Sequence, residues 1–400
     1  MLFTLVYRSH VAENFPHKDI ESMVFKANKV NQSLDITGIL LFNGTHFFQL
    51  LEGPEQAVIH LFEGICTDGR HHNVVELMRD YAPSRRFGNT GMELFDLREN
   101  FRGDVLQAVL ERGTSLHQLN YHDRALHFLR TFVCSHEREN YFELPPEGSW
   151  KFVSEGEVLR LPAESAEDHT FAFQPVADPL SQRVTDVEAR LRTPAGDGAE
   201  RYFSGMTAEA MCQADIASKE TAFRLAKSLG LGSQSLCVNV SSLALVTQPG
   251  ATDTLLSAAK RHGLIPEQIV VGITENEVVT DTAALSVAIR ALRSAGMRLA
   301  INDFGSGAGG LQMLARLQPE RIKIDAELVR DVHASGPKQA IIQGLLRSCQ
   351  ALEIAVTASG VSKPEEWMWL EAAGVSSFQG DLFAPPELNG LNPVAWPEPV

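Results

Sequence analysis

LAINDFGSGAGGL, residues 299–311, carries an apolar run into a polar pair, Asn302 and Asp303, and then into a glycine-rich loop. That is the pattern of a buried strand whose last residues deliver side chains into a site. The same rhythm recurs on both sides of it. FAFQPV, DVEARLR, LCVNVS, IVVGITE, RLAINDF, RIKID, EIAVTASG and SSFQG read as apolar strands, each followed by a helical stretch. Eight βα repeats over roughly 230 residues predict a (β/α)8 barrel. Function in such a barrel lies at the C-terminal ends of the strands. Those ends offer Gln174, Glu188, Arg192, Asn239, Gly272, Glu275, Asn302, Asp303, Lys323, Ser359 and Gln379. Guanidinium, ammonium and amide groups converging on one mouth favour a phosphate or nucleotide ligand. Taken singly, each is as readily a rim hydrogen bond or a solvated charge.

Residues 1 to about 95 follow another plan. LFTLVYRS reads as a strand and residues 18–32 as a helix; ITGILLFNGTHFFQLLEG reads as a hairpin turning at Asn43-Gly44. PEQAVIHLFEGICTD has helical spacing, and VVELMRDYAP and GMELFDL are two more strands. This order predicts an α+β sandwich with helices on one face of a sheet. Residues 100–145 carry helical spacing (VLQAVL, ALHFLRTFV), and ELPPEGSW, with two prolines and a glycine, reads as a linker.

The bulk composition agrees with two globular domains and excludes several classes. Against 35 Lys+Arg stand 50 Asp+Glu, a net charge of -15 that disfavours nonspecific binding to nucleic acid or anionic membrane. No stretch reaches the ~20 apolar residues of a membrane span, and MLFTLVYRSH reads as a first strand rather than a leader. The five cysteines are scattered and odd in number, so neither disulfides nor a zinc site is expected; the compartment is read as reducing and cytoplasmic.

In order and spacing, QPV (174–176), EARLR (188–192), NVS (239–241), GITE (272–275), NDFGSG (302–307), KID (323–325), ASGV (358–361) and QG (379–380) resemble the EAL domain. The resemblance implies a barrel, usually dimeric, that hydrolyses cyclic di-GMP to linear pGpG with two Mg2+ or Mn2+ ions activating a water. The implied metal positions are Glu188, Asn239, Gly272, Asn302, Asp303 and Ser359. Where the family has glutamate, aspartate and glutamate, this chain has Gly272, Asn302 and Ser359. Mg2+ relies on anionic oxygens, so only Glu188 and Asp303 remain to hold charge, and no ion pair is expected. The expectation is a catalytically impaired, non-hydrolytic homologue; a light-stimulated phosphodiesterase tolerating a reduced site is the alternative. Gln174, Arg192, Asp325 and Gln379 stand at dinucleotide positions, Lys323 beside the attacked phosphate, and Glu275 where the family orders the loop after the fifth strand. Cyclic di-GMP is expected to bind weakly, or not at all without metal. Arg190 replaces a leucine; it either crowds the pocket or adds a phosphate contact. The loop GSGAGGL departs from the family's tendency to GTGYSSL, at a place that helps form the dimer.

LVYRS, NQSLDITG, FFQLLEGP, DGRH and RRFGNTGM together resemble the BLUF photosensor. Alone, Tyr7 or Gln49 would read as a satisfied sheet residue. The resemblance implies FAD or another flavin held between two helices, with Tyr7 as electron and proton donor and Gln49 as the group that rearranges. It implies further that Asn31, with Gln32 beside it, binds the ring edge, that Arg70 and His71 lie near the ring or its side chain, and that Met92 couples the site to the last strand. Thr90 stands where some members have tryptophan. The organisation is thus a ferredoxin-like BLUF domain at 1–97, connecting helices and linker at 98–147, and an EAL barrel at 148–400. This order resembles blue-light-regulated phosphodiesterases of enteric bacteria. It implies a homodimer in which light acts through the connecting helices, with a possible protein partner.

Overall fold

The computed structural model describes residues 2–12, 15–16, 19–82, 85–86, 91–98, 109, 124–134, 144–146, 148–162, 168–232, 234–275 and 281–400. Most of the expected connecting segment, and Thr90, lie outside the described residues. The chain divides into two compact units, Met1–Pro146 with Val332–Ala340, and Glu147–Asp331 with Ile341–Val400.

In the first unit, β1 (Leu2–Val11), α1 (Ile20–Ser33), β2 (Thr37–Phe42), β3 (His46–Gly53), α2 (Glu55–Cys66), β4 (His71–Ala82) and β5 (Glu93–Asp96) build one five-stranded sheet. Its order is β4-β1-β3-β2-β5, the ferredoxin-like arrangement with one added parallel strand. Alternation along β1 sorts its side chains. Phe3, Leu5 and Tyr7 join Val58 of α2, whereas Val6 joins Leu129, Phe132 and Val133 of α3 (Arg124–Cys134). Helices therefore cover both faces, where the sequence predicted one. The reason is legible in burial: β2 and β3 are buried at every residue, so the second face also needs an apolar cover.

In the second unit, β6 (Trp150–Ser154) and β7 (Leu159–Arg160) pair with β18 (Ala395–Pro399) and β17 (Gly390–Leu391). The barrel follows: β8 (Thr170–Asp178), β9 (Arg183–Arg192), β10 (Ser235–Asn239), β11 (Ile269–Thr274), β12 (Arg298–Phe304), β13 (Arg321–Ile324), β14 (Ala355–Ser359) and β15 (Ser377–Gln379). They join in sequential order, and β15 pairs with β8 to close the ring; β16 (Glu387–Leu388) adds to β8 outside it. One element departs from the predicted repeat. No helix separates β8 from β9; they form an antiparallel hairpin in which Gln174 lies opposite Glu188. A parallel crossover needs a dozen or more residues, and the turn at 179–182 is far shorter. Gln174 and Glu188 are thus mid-strand residues rather than strand ends.

At one end of the five-stranded sheet three imidazoles meet across neighbouring strands. His10 of β1 is opposite His46 of β3 and His72 of β4, with His10 Nε2 2.9 Å from His46 Nε2 and the His10 and His72 rings stacked at 5.1 Å. Burial lowers the His10 pKa to about 3, helped by His46, His72 and Arg8, and lowers His46 to about 4, helped by Arg8 and His72. Both are therefore neutral in the folded sheet and take up protons on unfolding below the ordinary value of 6.5. Their stabilisation is complete above pH 6.5 and is lost as pH falls through about 4. The thermal midpoint of the first unit should drop by roughly 5 °C or more between pH 7 and pH 4.5. His10→Gln combined with His46→Gln should flatten that dependence; an unchanged slope in scanning calorimetry would refute it.

Candidate functional site

The first unit encloses a cavity of about 600 Å³ between α1 and α2, within the ~300–1,000 Å³ range of cofactor pockets. Tyr7, Asn31, Gln49, Arg70, His71 and Met92 line it. At its floor the Tyr7 hydroxyl donates to Gln49 Oε1, and Gln49 Nε2 lies 2.9 Å from the Met92 sulfur. The cross-strand register Tyr7↔Gln49 on β1 and β3 sets up this pairing. Burial, then Cys66 and Asp68, push the Tyr7 pKa well above that of an ordinary phenol, so the tyrosine is firmly protonated. Among the described residues Gln49 is the partner of the Tyr7 hydroxyl, and both side chains are buried, Tyr7 fully.

Asn31 is buried and donates Nδ2 to the Gly91 carbonyl at 2.8 Å. Its Oδ1 has no hydrogen-bond partner among the described residues, an acceptor left over beside the cavity. An unspent buried acceptor costs free energy unless a bound donor satisfies it. The imide N–H of an isoalloxazine edge is such a donor, and the apolar walls (Val24, Ala27, Leu61 and Ile65) suit a planar ring. The residues therefore fit a flavin. Arg70 is held by Asp68, with Nε 2.9 Å from each carboxylate oxygen, and burial lowers the His71 pKa to about 4, keeping that ring neutral at pH 7. His71 Nδ1 is 2.9 Å from Ser9 Oγ. Gln32 is exposed and takes no part in the lining, because one further residue on a helix turns the side chain by about 100°. The apolar helix residues that wall the cavity, such as Val24, Ala27, Leu61 and Ile65, carried no distinguishing mark in the sequence, so only the tertiary structure identifies them.

In the second unit the barrel mouth is organised around Glu188, which is 4% exposed. Its Oε1 accepts from Asn239 Nδ2 at 2.9 Å. Its Oε2 accepts from Gln379 Nε2 at 2.8 Å, from Lys323 Nζ at 3.1 Å, and from Arg190 Nη2 and Nε at 3.1 and 3.2 Å. Burial by itself would raise this carboxyl, but Lys323, then Arg190, with the Asn239 and Gln379 hydrogen bonds, hold it well below the usual range. A second polar chain continues from it. Asn302 Nδ2 donates to Asn239 Oδ1 at 2.7 Å, and Gly272 pairs in register with Asn239 and Ala300. A Cβ on Gly272 would lie 2.5 Å from Asn302 Nδ2 and 2.8 Å from Asn239 Oδ1.

The remaining sequence-selected residues are distributed around this centre. Asp303 is exposed, in a left-handed conformation (φ 52°) that aspartate tolerates, and its carbonyl accepts from Ser306. Ser359 ends β14 opposite Gln379 of β15. Glu275 accepts from the Gly305 and Gly310 amides at 2.5 and 2.7 Å, pinning the loop that follows β12. Asp325 caps the short helix Ala326–Val329, accepting from the Glu327 amide at 2.9 Å. Gln174 Nε2 donates to the Ala384 carbonyl at 2.9 Å, while its buried Oε1 lacks a partner among the described residues. Arg192 sits with Arg190 beside a separate cavity of about 410 Å³. No group of three or more His, Cys, Asp or Glu side chains among the described residues is arranged to hold a metal ion. No helix among them is long and apolar enough to cross a membrane.

Comparison with known proteins agrees with both units. Residues 160–386 match the EAL domain family, and residues 2–93 match BLUF, described as sensors of blue light using FAD. Over the full length of both chains, the sequence is 50% identical to the blue light- and temperature-regulated antirepressor BluF of Escherichia coli K12. The manganese/cyclic di-GMP complex of BlrP1 from Klebsiella pneumoniae superposes over 100% of both chains with a TM-score of 0.91 at 41% identity. A structure of BlrP1 with FMN and cyclic di-GMP and no metal ions superposes over 100% of both chains with a TM-score of 0.87 at 38% identity.

The charge balance at Glu188 can be measured directly. Glu188→Ala leaves Lys323 buried without its carboxylate and should cost about 3–5 kcal/mol of barrel stability in urea unfolding. A loss below about 1 kcal/mol would show that the cations find other partners.

Proposed function

Because this chain belongs to the EAL domain family and carries a BLUF domain at its N-terminus, we propose that blue light acts through it on a partner protein, by way of a barrel that does not hydrolyse cyclic di-GMP appreciably. The observation that carries the non-hydrolytic part is the amide contact between Asn302 and Asn239, filling the space where a side chain on Gly272 would lie. Two-metal hydrolysis requires anionic oxygens around a pair of dications. Gly272, Asn302 and Ser359 supply no charge, and both Glu188 oxygens already accept from protein donors. These residues do not fit a pair of divalent ions. The similarity to an Escherichia coli antirepressor favours a protein partner, and the metal-free BlrP1 complex favours occasional cyclic di-GMP occupancy without ions. Gln174, Arg192, Asp325 and Gln379 are the residues proposed for such a ligand, and a homodimer is the proposed assembly.

On the sensor side, a bound flavin supplies the blue-light absorption. Tyr7 provides the proton-bearing hydroxyl, Gln49 links it to Met92, and Asn31 Oδ1 would accept from the ring edge. The helices around the cavity exclude water and keep the hydrogen bonds strong.

The purified protein should be yellow and shift its flavin absorption to the red on blue illumination; Tyr7→Phe should abolish the shift while retaining flavin. Chromatography should detect no pGpG from cyclic di-GMP with Mg2+ or Mn2+, dark or lit. Robust pGpG formation would overturn the proposal. Gly272→Glu, Asn302→Asp and Ser359→Glu together should raise turnover by at least ~100-fold.

A further inference from the structure

Arg190 stands two residues after Glu188 on β9, so the two side chains leave the strand on the same face. Its guanidinium forks onto a single oxygen, Glu188 Oε2, with Nε at 3.2 Å and Nη2 at 3.1 Å. The same oxygen faces the Lys323 ammonium at 3.1 Å. A buried carboxylate thus has two full positive charges within hydrogen-bond reach of one atom, and its other oxygen is taken by the Asn239 amide. Lys323 is buried at 3% exposure and comes from the far side on β13, whereas the Arg190 side chain is 33% exposed and lies on the solvent side of the carboxylate.

We infer that Arg190 is the resident counter-ion of the barrel mouth, a specificity-determining residue that shields Glu188 from divalent cations. The inference rests on the non-hydrolytic reading and names the side chain that enforces it. A dication approaching Glu188 Oε2 meets like charge on a planar group that already occupies that oxygen. Displacing the guanidinium requires breaking a charge-assisted fork and leaving the arginine without that carboxylate. A leucine at the same position would offer neither obstacle. Charge, rather than bulk, is therefore the operative property, and it separates Arg190 from the missing ligands at 272, 302 and 359.

The test is Mn2+ binding to the full-length protein, read from the electron paramagnetic resonance signal of free Mn2+ in the dark. Arg190→Met keeps the length of the side chain and removes its charge; it should bind Mn2+ at least ~10-fold more tightly than the unsubstituted chain. Arg190→Lys should behave like the unsubstituted chain, and Glu188→Gln added to Arg190→Met should erase the gain. Arg190→Gln gives a second neutral variant should the methionine protein fail to fold, judged by its circular dichroism melt. Equal Mn2+ affinity in the neutral variants and the unsubstituted chain overturns the inference, and so does equal gain with lysine. Neither of those results produces pGpG. Hydrolysis by the unsubstituted chain is the separate outcome that removes the non-hydrolytic reading itself.

Discussion

Burying a carboxylate in a barrel core is unfavourable unless donors surround it, and the mouth of the second unit is arranged around that requirement at Glu188. Strands β9, β10, β13 and β15 each contribute one group to it: Arg190, Asn239, Lys323 and Gln379. The antiparallel β8–β9 hairpin places Glu188 at mid-strand, deep enough that solvent does not share the task. From Asn239 the network passes to Asn302, and the absence of a side chain at Gly272 leaves room for those amides to touch. Both Glu188 oxygens are satisfied within this cluster, while the buried Asn302 Oδ1 at its edge has no partner among the described residues.

The sensor unit is built around a cavity instead. Its polar groups are not all satisfied: Asn31 spends its amide on Gly91 and leaves a buried oxygen free of partners among the described residues. Tyr7, Gln49 and Met92 form a chain beneath a cavity with apolar walls. A tyrosine buried this completely stays protonated, so any proton it gives up must go to a group inside the cavity or to Gln49. One unit leaves a buried acceptor beside a cavity, whereas the other gathers two cations on one buried carboxylate.

Much of this was legible in the residues. The Asn43-Gly44 turn, the opening strand LFTLVYRS and the eight apolar runs after residue 170 all became the strands and turn they predict. Two features were misjudged for reasons of length and burial. The short stretch between FAFQPV and DVEARLR could have excluded a helix, since a crossover does not fit there. The near-continuous apolar runs GILLF in β2 and FFQLL in β3 could have called for a second layer of helix. Gln32, chosen for its neighbour Asn31, lies on a different side of α1, because a helix separates adjacent residues that a list keeps together.

Local pattern and residue type decided which strands form and which chemistry they can carry, since these follow from short-range periodicity and from the charge of each side chain. Partnership was decided only by the folded chain. Glu188 meets Gln379 across 191 positions and Asn239 across 51, and Arg190 turned from an ambiguous substitution into a counter-ion once its distance to Oε2 was known. The physical reason is that hydrogen bonds and ion pairs depend on ångström-scale geometry between residues far apart in sequence, which barrel closure brings together and linear spacing does not specify.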